Sequence, residues 1–446
     1  MRVAVIGAGH VGLVTCATLA AMGHEVTGND LDPEKMALLE SGKPWFYEPG
    51  LEAMVTEQVA AGRLNFTTDA SVAVPGADVV FICVGTPARS NGEANLVAVE
   101  GAARDVARHA SPGTVIVEKS TVPAGTSDRI KKVLERERPD IAHDLHIVSN
   151  PEFLREGRAV EDSMEPERIL IGGSSDHAFV AMRELYEPIL KNGGELIETD
   201  VATAELSKHA CNAFLALKIS YANALARICE RAGADVEAVT NVMGSDSRIG
   251  HAFLNAGLGY GGYCFPKDIV AFERLAESLG YEFPLLGEVA RINAEAIDSM
   301  MEKIVEALWN MEGKRVALLG LSFKPGTDDT RFSPALALAE KIVASGAEVI
   351  GYDPAAAAAA KRDMPALEIA TSAYEAVRDA HCVVLCTEWP EFLGLDLVKV
   401  RGLLRYPIFI DGRNLFDPAD MEKAGLAYQA TGRPVTEMRG AEALAS

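Results

Sequence analysis

One ordered set of segments occurs twice in this chain, near its start and again in its last third. The two copies are RVAVIGAG, GHEVTGND and ADVVFICVGTP (2–9, 23–30, 77–87) and RVALLGLS, GAEVIGYD and AHCVVLCTEWP (315–322, 346–353, 380–390). Near-continuous apolar runs of this kind are typical of parallel strands buried on both faces. We therefore predict an α/β protein with two doubly wound, Rossmann-like domains, one at each end. Chance similarity among apolar strands is the alternative.

The middle of the chain, from about residue 200 to 300, carries no strand pattern. Residues 203–233 combine helical spacing of apolar residues with a Thr-x-Glu start and a glycine end, which predicts one long helix. At ~1.5 Å per residue this helix would be about 45 Å long. Such a helix commonly ties two domains together or forms a subunit interface. We expect three domains, 1–200, a central helical domain 201–300, and 301–446, with a poorly ordered tail from about 432.

Composition narrows the class of protein. The 446 residues carry a formal net charge of -22, which argues against a nucleic-acid partner but not against a local anion site. No apolar run is long enough for a membrane span, and MRVAVIGAG does not resemble a signal peptide, so a cytoplasmic location is expected. Seven cysteines without a C-x-x-C pair are expected to be mostly buried thiols, and no metal site is predicted.

The first strand leads into the motif GAGHVG, which begins at Gly7. Gly7 allows the tight turn, Gly9 lets the backbone approach a pyrophosphate, and Gly12 allows close helix packing. Asp30 ends the second strand and would accept hydrogen bonds from ribose hydroxyls. Its negative charge would repel a 2′-phosphate, which favours NAD over NADP. A glycine turn without a ligand is the alternative, and Asp32 competes with Asp30 for the ribose role.

Two further loops follow apolar runs and would face the same crevice. They are CVGTP and KSTVPAGT, which contain Thr86 and Thr121. Either threonine is a candidate cofactor contact or, equally, a helix cap.

The C-terminal copy has no glycine motif. In its place stands GLSFKPGTDDTR, with Lys324 and Arg331, and DGRN places Arg413 after another apolar strand. Basic loops at such positions suit a phosphorylated ligand. Surface loops with ordinary charges are the alternative.

The segment GYGGYCFPKD, residues 259–268, places a cysteine among glycines. Pro266 is a good first helical residue, so Cys264 would lie just before a helix and Asp268 in its first turn. A thiol at a helix N-terminus has a lowered pKa and is a candidate nucleophile. A small buried residue is the alternative reading.

Three polar residues elsewhere are candidates for the same chemistry. Lys208 and Asn212 lie four apart on the predicted long helix and share one face, where they could stabilise an oxyanion or simply decorate a surface. Glu152 follows a strand in NPEFLREG, a position for a general acid or base or for a helix cap.

Taken together, these motifs resemble the UDP-glucose 6-dehydrogenase branch of the UDP-glucose/GDP-mannose dehydrogenase family. The resemblance covers nearly the whole chain, and the segments that carry it are GAGHVGL, YEPGL, VGTP, KSTVPAGT, NPEFLREG, LSKHACNAFLALKISYANALA, FLNAGLGYGGYCFPKD and FKPGTDDTR. It implies a four-electron oxidation of the C6 alcohol of UDP-glucose to UDP-glucuronate with two NAD+. An aldehyde captured by Cys264 as a thiohemiacetal would be oxidised to a thioester and then hydrolysed.

The resemblance also implies residue roles. Catalytic residues would be Cys264, Lys208, Asn212, Asp268, Glu152 and Thr121. Contacts to NAD would come from Gly7, Gly9, Val11, Gly12, Asp30, Lys35, Thr86, Thr121, Glu152, Lys267 and Arg331. Contacts to the sugar nucleotide would come from Glu152, Phe153, Leu154, Arg155, Lys208, Asn212, Phe253, Leu254, Asn255, Gly257, Gly261, Phe323, Lys324 and Arg413, with Arg248 supplied by the neighbouring subunit of a homodimer or a multiple of dimers. The domain 1–200 would bind NAD and 301–446 the UDP-sugar.

One position departs from the family pattern. Tyr263 stands where the family usually has a small residue, often Ser, before the cysteine. A ring that points away would change nothing, whereas a ring that points into the pocket would narrow it. The same chemistry on GDP-mannose or a UDP-N-acetylhexosamine is an alternative. So are a binding protein without turnover and a two-electron 3-hydroxyacid dehydrogenase, which would not need Cys264.

Overall fold

A computed structural model of the chain describes residues 1–434, so most of the predicted disordered tail lies outside the described residues. The chain divides into two compact units. The first unit comprises Met1–Cys211 and Val270–Tyr281, and the second comprises Asn212–Ile269 and the chain from Glu282 onward. The division into three domains stays a prediction.

The first unit is built on an eight-stranded sheet with the order β3-β2-β1-β4-β5-β6-β7-β8. Its strands are β1 Arg2–Ile6, β2 Glu25–Asn29, β3 Leu64–Thr67, β4 Val79–Ile82, β5 Val115–Glu118, β6 His146–Ser149, β7 Ile169–Gly172 and β8 Leu196–Thr199. Neighbouring strands are parallel, as predicted, except β6 and β7, which pair antiparallel through Ser149 and Gly172. Their connection contains only a six-residue helix, Ala159–Met164, and no full crossover helix.

Helices cover both faces of this sheet. They are α1 His10–Ala21, α2 Pro33–Glu40, α3 Leu51–Ala60, α4 Ala70–Ala73, α5 Val97–His109, α6 Thr126–Glu137, α7 Ala159–Met164, α8 Asp176–Leu185 and α9 Glu187–Lys191, with a short 3₁₀ turn at Ala142–Asp144. In β1, Val3 and Val5 belong to one apolar cluster and Ala4 and Ile6 to another. The strand alternates between two cores, which explains its continuous apolar sequence.

The middle of the chain is helical, as predicted. It contains α10 Val201–Ala232, α11 Val236–Gly244, α12 Cys264–Ser278 and α13 Pro284–Leu308. The 32-residue α10 confirms the long helix to within two residues at its start and one at its end. None of these helices, nor any other within residues 1–434, has the length and apolar character needed to cross a bilayer.

The second unit contains a six-stranded parallel sheet with the order β11-β10-β9-β12-β13-β14. Its strands are β9 Arg315–Leu319, β10 Glu348–Tyr352, β11 Glu368–Ile369, β12 Cys382–Leu385, β13 Ile408–Asp411 and β14 Ala427–Ala430, and its helices are α14 Pro334–Ala344, α15 Ala357–Asp363, α16 Ala373–Val377, α17 Pro390–Leu393, α18 Leu397–Leu403 and α19 Pro418–Lys423. The adjacent strands β10-β9-β12 repeat the arrangement β2-β1-β4. The repeat in the sequence is therefore a repeat of structure, and each copy ends its strands at a crevice suited to a ligand.

Candidate active site

The turn after β1 has the geometry of a phosphate-binding loop. Gly7 has φ +97°, and a Cβ there would lie 2.7 Å from the carbonyl oxygen of Cys83. A Cβ on Gly12 would lie 1.8 Å from the carbonyl oxygen of Gly7, whereas a Cβ on Gly9 meets nothing within 4 Å. Gly9 is the N-cap of α1 and supplies no side chain to its amides. The open face at Gly9 and the helix start together fit a pyrophosphate, and Val11 lies in the same first turn.

At the end of β2, Asp30 and Lys35 form a partly buried ion pair. Asp30 Oδ2 accepts hydrogen bonds from the Ala8 amide at 2.9 Å and from Lys35 Nζ at 3.0 Å. Asp32 instead caps α2 by accepting from the amides of Glu34 and Lys35. Only Asp30 is joined to the glycine loop, which favours it over Asp32 for the ribose role.

An aromatic group that the sequence did not single out supports this loop. The Trp45 indole N–H donates to the Ala8 carbonyl at 3.0 Å, and Lys35 Nζ lies 5.2 Å from the Trp45 ring centroid. His10 packs edge-on against Trp45 and also against Phe46. A tryptophan shortly before the YEPGL segment was the available signal, but no periodic pattern ties it to residues some 37 positions earlier.

The two predicted threonine loops are joined directly. Thr86 Oγ1 donates to the Thr121 carbonyl at 2.8 Å. Neither threonine is a helix cap, because the next helices have Leu96 and Gly125 as N-cap residues. The hydrogen bond brings the ends of β4 and β5 together at the crevice of the first sheet.

Glu152 and Lys208 form a buried ion pair in the first unit. Lys208 Nζ lies 3.0 Å from Glu152 Oε1, and the side chains are only 5% and 6% exposed. Glu152 Oε2 accepts the Leu154 amide at 2.6 Å, and Lys208 also lies over the Phe153 ring at 5.3 Å. Glu152 does not cap a helix, since α7 has Arg158 as its N-cap. Neither side chain therefore caps a helix, and both are held in place by each other and by their neighbours.

A second buried cation lies nearby and was missed from the sequence. Lys119 Nζ donates to Asn150 Oδ1 at 3.1 Å, and the Tyr186 hydroxyl donates to the same oxygen at 2.7 Å. Burial lowers the pKa of Lys119, while the neighbouring Glu152 raises it and Lys208 lowers it. Glu152 thus has two lysines near it rather than one.

The structure does not place the Arg155 side chain with Glu152, Lys208 and Lys119. Its guanidinium is paired with Asp162 and is 45% exposed.

In the second unit, Cys264 is the first residue of α12. The prediction that the helix begins at Pro266 was wrong by two residues, because a proline fits other positions of a first turn as well as N1. Cys264 is half-buried, and none of the seven cysteines forms a disulfide. Five of the others are buried, and burial raises the pKa of Cys83 and of Cys386 to about 12. Those two thiols stay protonated at neutral pH, and Cys264, at the start of a helix, stays the candidate nucleophile.

A buried polar chain leads from α10 to the first turns of α12. Asn212 Nδ2 donates to Asp268 Oδ2 at 2.6 Å, and Lys267 Nζ donates to Asp268 Oδ1 at 2.7 Å. Asp268 is 1% exposed. One carboxylate therefore fixes both an amide and an ammonium group, the arrangement expected where donors must be held ready for developing charge.

The cysteine loop lies directly against the basic loop that follows β9. The Gly262 amide donates to the Arg331 carbonyl at 3.0 Å. A Cβ on Gly262 would lie 2.7 Å from the Phe323 ring, and one on Gly261 would lie 2.2 Å from the Phe332 carbonyl oxygen. The glycines before Cys264 are thus needed for close approach of this loop.

Arg413 joins the same region from the end of β13. Its Nε donates to the Cys386 carbonyl at 2.7 Å, and Nη1 and Nη2 approach the carbonyls of Gly259 and Phe323 at 3.5 and 3.4 Å. A Cβ on Gly257 would lie 3.4 Å from Arg413 Cδ. The predicted sugar-nucleotide residues Gly257, Phe323 and Arg413 therefore lie together, with Lys324 Nζ 5.4 Å from the Phe323 ring centroid.

The other predicted substrate residues of this unit differ in exposure. Leu254 is buried and Asn255 is exposed. Phe253 has φ +63° and packs edge-on near Phe265, with ring centroids 6.2 Å apart. Arg248 is 85% exposed and pairs with Asp246, so the structure does not bring it to the other candidates of its unit.

In the second copy, the aspartate at the end of the second strand, Asp353, is occupied by hydrogen bonds within the protein. It occupies the position that corresponds to Asp30, but its Oδ2 accepts from the amides of Leu321 and Ser322, from Ser322 Oγ, and from the Trp389 indole. Hydrogen bonds from its own loop occupy this carboxylate, and Asp353 is 2% exposed. The groups that remain to bind a ligand at this end of the second sheet are therefore the basic side chains.

Comparison with known proteins likewise separates an NAD-binding part of the chain from a UDP-binding part. Three sequence models of the UDP-glucose/GDP-mannose dehydrogenase family match the chain: the NAD binding domain at residues 1–190, the central domain at 202–295 and the UDP binding domain at 317–418. The UDP-glucose 6-dehydrogenase of Rhizobium meliloti (strain 1021) is 43% identical over 438 residues, which cover 97% of this chain and 100% of the relative.

Solved structures give the same result. A UDP-glucose dehydrogenase from the archaeon Pyrobaculum islandicum superposes with a TM-score of 0.89 at 36% identity, covering 97% of both chains. A UDP-D-ManNAc dehydrogenase from Pyrococcus horikoshii gives 0.84 at 30% identity, covering 97% of this chain and 99% of the other. The fold and the cofactor cradle define an NAD-dependent dehydrogenase of nucleotide sugars. The chain belongs to the UDP-glucose/GDP-mannose dehydrogenase family.

Proposed function

We propose that this enzyme oxidises the C6 alcohol of UDP-glucose to UDP-glucuronate in a four-electron reaction through Cys264. The observation that carries the proposal is Cys264 at the start of α12, one turn from the buried Asn212–Asp268–Lys267 chain. An enzyme that only oxidises an alcohol by two electrons does not need a nucleophilic side chain at that position. The 43% identity to a UDP-glucose 6-dehydrogenase supports the choice of substrate.

The cofactor is NAD, for which the first unit supplies a matching cradle. Gly7, Gly9, Val11 and Gly12 would hold the pyrophosphate at the start of α1, and Asp30 with Lys35 would hold the ribose. Further contacts would come from Thr86, Thr121, Glu152, Lys267 and Arg331. Bound NAD+ supplies the hydride acceptor, and two are needed per sugar because alcohol and carboxylate differ by four electrons.

Lys208 and Asn212 would stabilise the negative charge that develops on the C6 oxygen. They lie four residues apart on α10, a spacing that places both on one side of the helix. In the first oxidation the C6 carbon loses a hydride and its hydroxyl a proton, giving an aldehyde. The Cys264 thiolate adds to that carbon, and the oxygen takes up a proton to give a thiohemiacetal. Loss of the second hydride and of that proton leaves a thioester on Cys264.

Glu152 would then act as general base for hydrolysis of the thioester. It takes a proton from water as the water oxygen adds to the carbonyl carbon, and the C–S bond breaks to give the carboxylic acid and the Cys264 thiolate. The acid then loses its proton to solvent, which leaves the carboxylate. Thr121 and Asp268 would help to place this water. The Leu154 amide fixes Glu152 Oε2, so Oε1, which is paired with Lys208, is the oxygen that would take the proton.

The second unit would hold the UDP-sugar through Arg413, Lys324 and Phe323. The clustering of these three with Gly257 at the ends of β9 and β13 supports this assignment. The further sugar contacts carried over by family resemblance are Phe153, Leu154, Arg155, Phe253, Leu254, Asn255 and Gly261.

A panel of nucleotide sugars tests the substrate. UDP-glucose, GDP-mannose, UDP-N-acetylglucosamine and UDP-N-acetylmannosamine would each be supplied at equal concentration, and NADH formation followed by absorbance. We expect kcat/KM for UDP-glucose to exceed the others by at least about 100-fold, because a pocket built around polar groups rejects a mismatched sugar strongly. A higher value for an N-acetylated sugar would overturn the choice of substrate but not the chemistry. The solved UDP-D-ManNAc dehydrogenase with this fold is the reason to include that arm.

We further propose a cytoplasmic homodimer, or a multiple of dimers, in which Arg248 acts in the neighbouring subunit. Phe214, Tyr221 and Ile228 recur every seven residues on α10 and are 61%, 50% and 59% exposed, an apolar stripe suited to a second copy. The outward direction of Arg248 supports the same assembly.

A mixed dimer tests this sharing. Arg248→Ala and Cys264→Ser subunits, each inactive alone, would be co-expressed with different tags and the heterodimer purified. If Arg248 serves its neighbour, one of the two sites is intact and about half of the wild-type activity returns. Activity no higher than that of either parent would place Arg248 in its own subunit or outside the site.

A further inference from the structure

Tyr263 contacts two cations of the second unit at once. It immediately precedes Cys264 at the start of α12, and its ring is half-buried. The Arg331 guanidinium carbon lies 4.6 Å from the ring centroid, and Lys267 Nζ lies 5.7 Å from it. Both distances are within the range of a cation–π contact.

Each of these cations is also tied to a carboxylate. Arg331 forms a forked pair with Asp329 through Nε and Nη2, and Lys267 donates to the buried Asp268. The amide of Gly262 binds the Arg331 carbonyl as well. The ring therefore stands between the basic loop after β9 and the polar chain beside Cys264, and it contacts a member of each.

A serine at this position could not do this. At the position before a helix it would accept a hydrogen bond from a first-turn amide, but it has no surface on which a guanidinium can stack. Burial raises the pKa of Tyr263, while Lys267 and Arg331 act to lower it. The phenol thus stays neutral at neutral pH, and the contact depends on the ring rather than on a phenolate.

We propose that Tyr263 is a positioning residue for the cofactor: its ring holds the charged groups of Lys267 and Arg331 in the orientation that binds NAD. The inference rests on the proposed function, in which those two side chains contact NAD. It makes the aromatic side chain the necessary feature and the hydroxyl dispensable. The ring of Tyr263 thus serves the cofactor rather than the sugar.

Three variants of the full-length enzyme separate this role from a structural one. Tyr263→Ser should raise the KM for NAD+ about 5- to 30-fold, the loss expected for two cation–π contacts, with kcat and the KM for the sugar within about twofold. Tyr263→Phe should restore the wild-type KM for NAD+. Tyr406→Ser is the matched control, because it removes a tyrosine over which Lys314 lies at 4.9 Å, away from the candidate residues. It should leave the KM for NAD+ unchanged.

The result that would overturn the proposal is a Tyr263→Ser enzyme with unchanged NAD+ affinity, or one in which kcat and both KM values change together and the melting temperature falls. Calorimetric titration of NAD+ without sugar reads the same affinity independently of turnover. If the wild-type enzyme oxidises no nucleotide sugar but Tyr263→Ser still weakens NAD+ binding, the proposed function fails and this inference stands. If turnover is as proposed and the titration shows no difference, the inference alone fails.

Discussion

At the scale of single residues, the Asp30–Lys35 pair changes how cofactor choice is explained. From the sequence, the charge of Asp30 was expected to exclude a 2′-phosphate. In the structure Lys35 Nζ lies 3.0 Å from that carboxylate and offsets much of its charge. Asp30 would then exclude NADP because its side chain occupies the space, and takes the hydrogen bonds, that a 2′-phosphate would need. The cation beside it, Lys35, is already in place.

Asp30→Ser should therefore admit NADP without any added arginine. We expect kcat/KM for NADP+ to rise at least about 10-fold, because Lys35 is released to pair with the 2′-phosphate. The double variant Asp30→Ser, Lys35→Ala is the control and should lose this gain. Equal NADP+ activity in the single and double variants would show that Lys35 does not select the cofactor.

A second residue, Glu118, gives the fold an unusual pH dependence. It ends β5 and is 1% exposed; Oε1 accepts the Ser120 amide, and Oε2 has no hydrogen-bond partner. Burial raises the pKa of Glu118 to about 8, with a smaller contribution from Glu205. The folded state keeps a proton that the unfolded state loses near its ordinary pKa of 4.5. Stability contributed by this group is therefore complete below that value and falls as pH rises towards 8.

Glu118→Gln should remove this loss, since a glutamine is neutral in both states. Relative to wild type, the free energy of unfolding should rise between pH 5 and pH 8 by up to a few kcal/mol, on the order of 1.4 kcal/mol for each pKa unit. Denaturant unfolding at several pH values measures it. Glu100→Gln, at an exposed ion pair, should show no such trend. Parallel pH curves for wild type and Glu118→Gln would contradict the account.

At the scale of elements, the turn from β1 to α1 separates folding from cofactor binding. Gly9→Ala should change the free energy of unfolding by about 1 kcal/mol or less, because its Cβ meets open space. It should weaken NAD+ binding at least about 10-fold, since that space is reserved for the pyrophosphate. Gly12→Ala should destabilise the fold by about 3 kcal/mol or more, because its Cβ would overlap the Gly7 carbonyl. Thermal melts and NAD+ titrations of both variants check this, and equal melting temperatures would contradict it.

The elements that the sequence predicted well are those with a strong local pattern. The repeated strands and α10 were recognisable because continuous apolar runs and helical spacing extend over many residues. The antiparallel pairing of β6 with β7 was not, because an apolar run does not record strand direction. The start of α12 was misplaced because Pro266 is compatible with several first-turn positions.

The candidate site shows the same limit. Motif residues such as Gly7, Asp30 and Cys264 were found because their residue types have specific chemical uses. The Lys119–Asn150–Tyr186 network and the Trp45 support were not found, because these contacts join residues more than 30 positions apart in loops without periodicity. Such pairs become visible only when the strands that carry the loops are brought into one sheet.

At the scale of the whole molecule, one arrangement of strands occurs twice and serves two ligands. In the first copy the Asp30 carboxylate is joined to the glycine turn and to Lys35, whereas in the second the Asp353 carboxylate is hydrogen-bonded within its own loop. The family models assign NAD binding to the first part of the chain and UDP binding to the last. The repeat thus supplies one crevice for the oxidant and one for the nucleotide sugar.

In the proposed mechanism, Cys264 lets an NAD-dependent alcohol dehydrogenase remove four electrons from the sugar rather than two. The most direct measurement supplies a limiting amount of UDP-glucose with excess NAD+ and counts NADH, UDP-glucuronate and free aldehyde at completion. We predict two NADH and one UDP-glucuronate per UDP-glucose, no free aldehyde, and no UDP-glucuronate from the Cys264→Ser enzyme. One NADH per sugar with release of aldehyde from the wild-type enzyme would contradict the account.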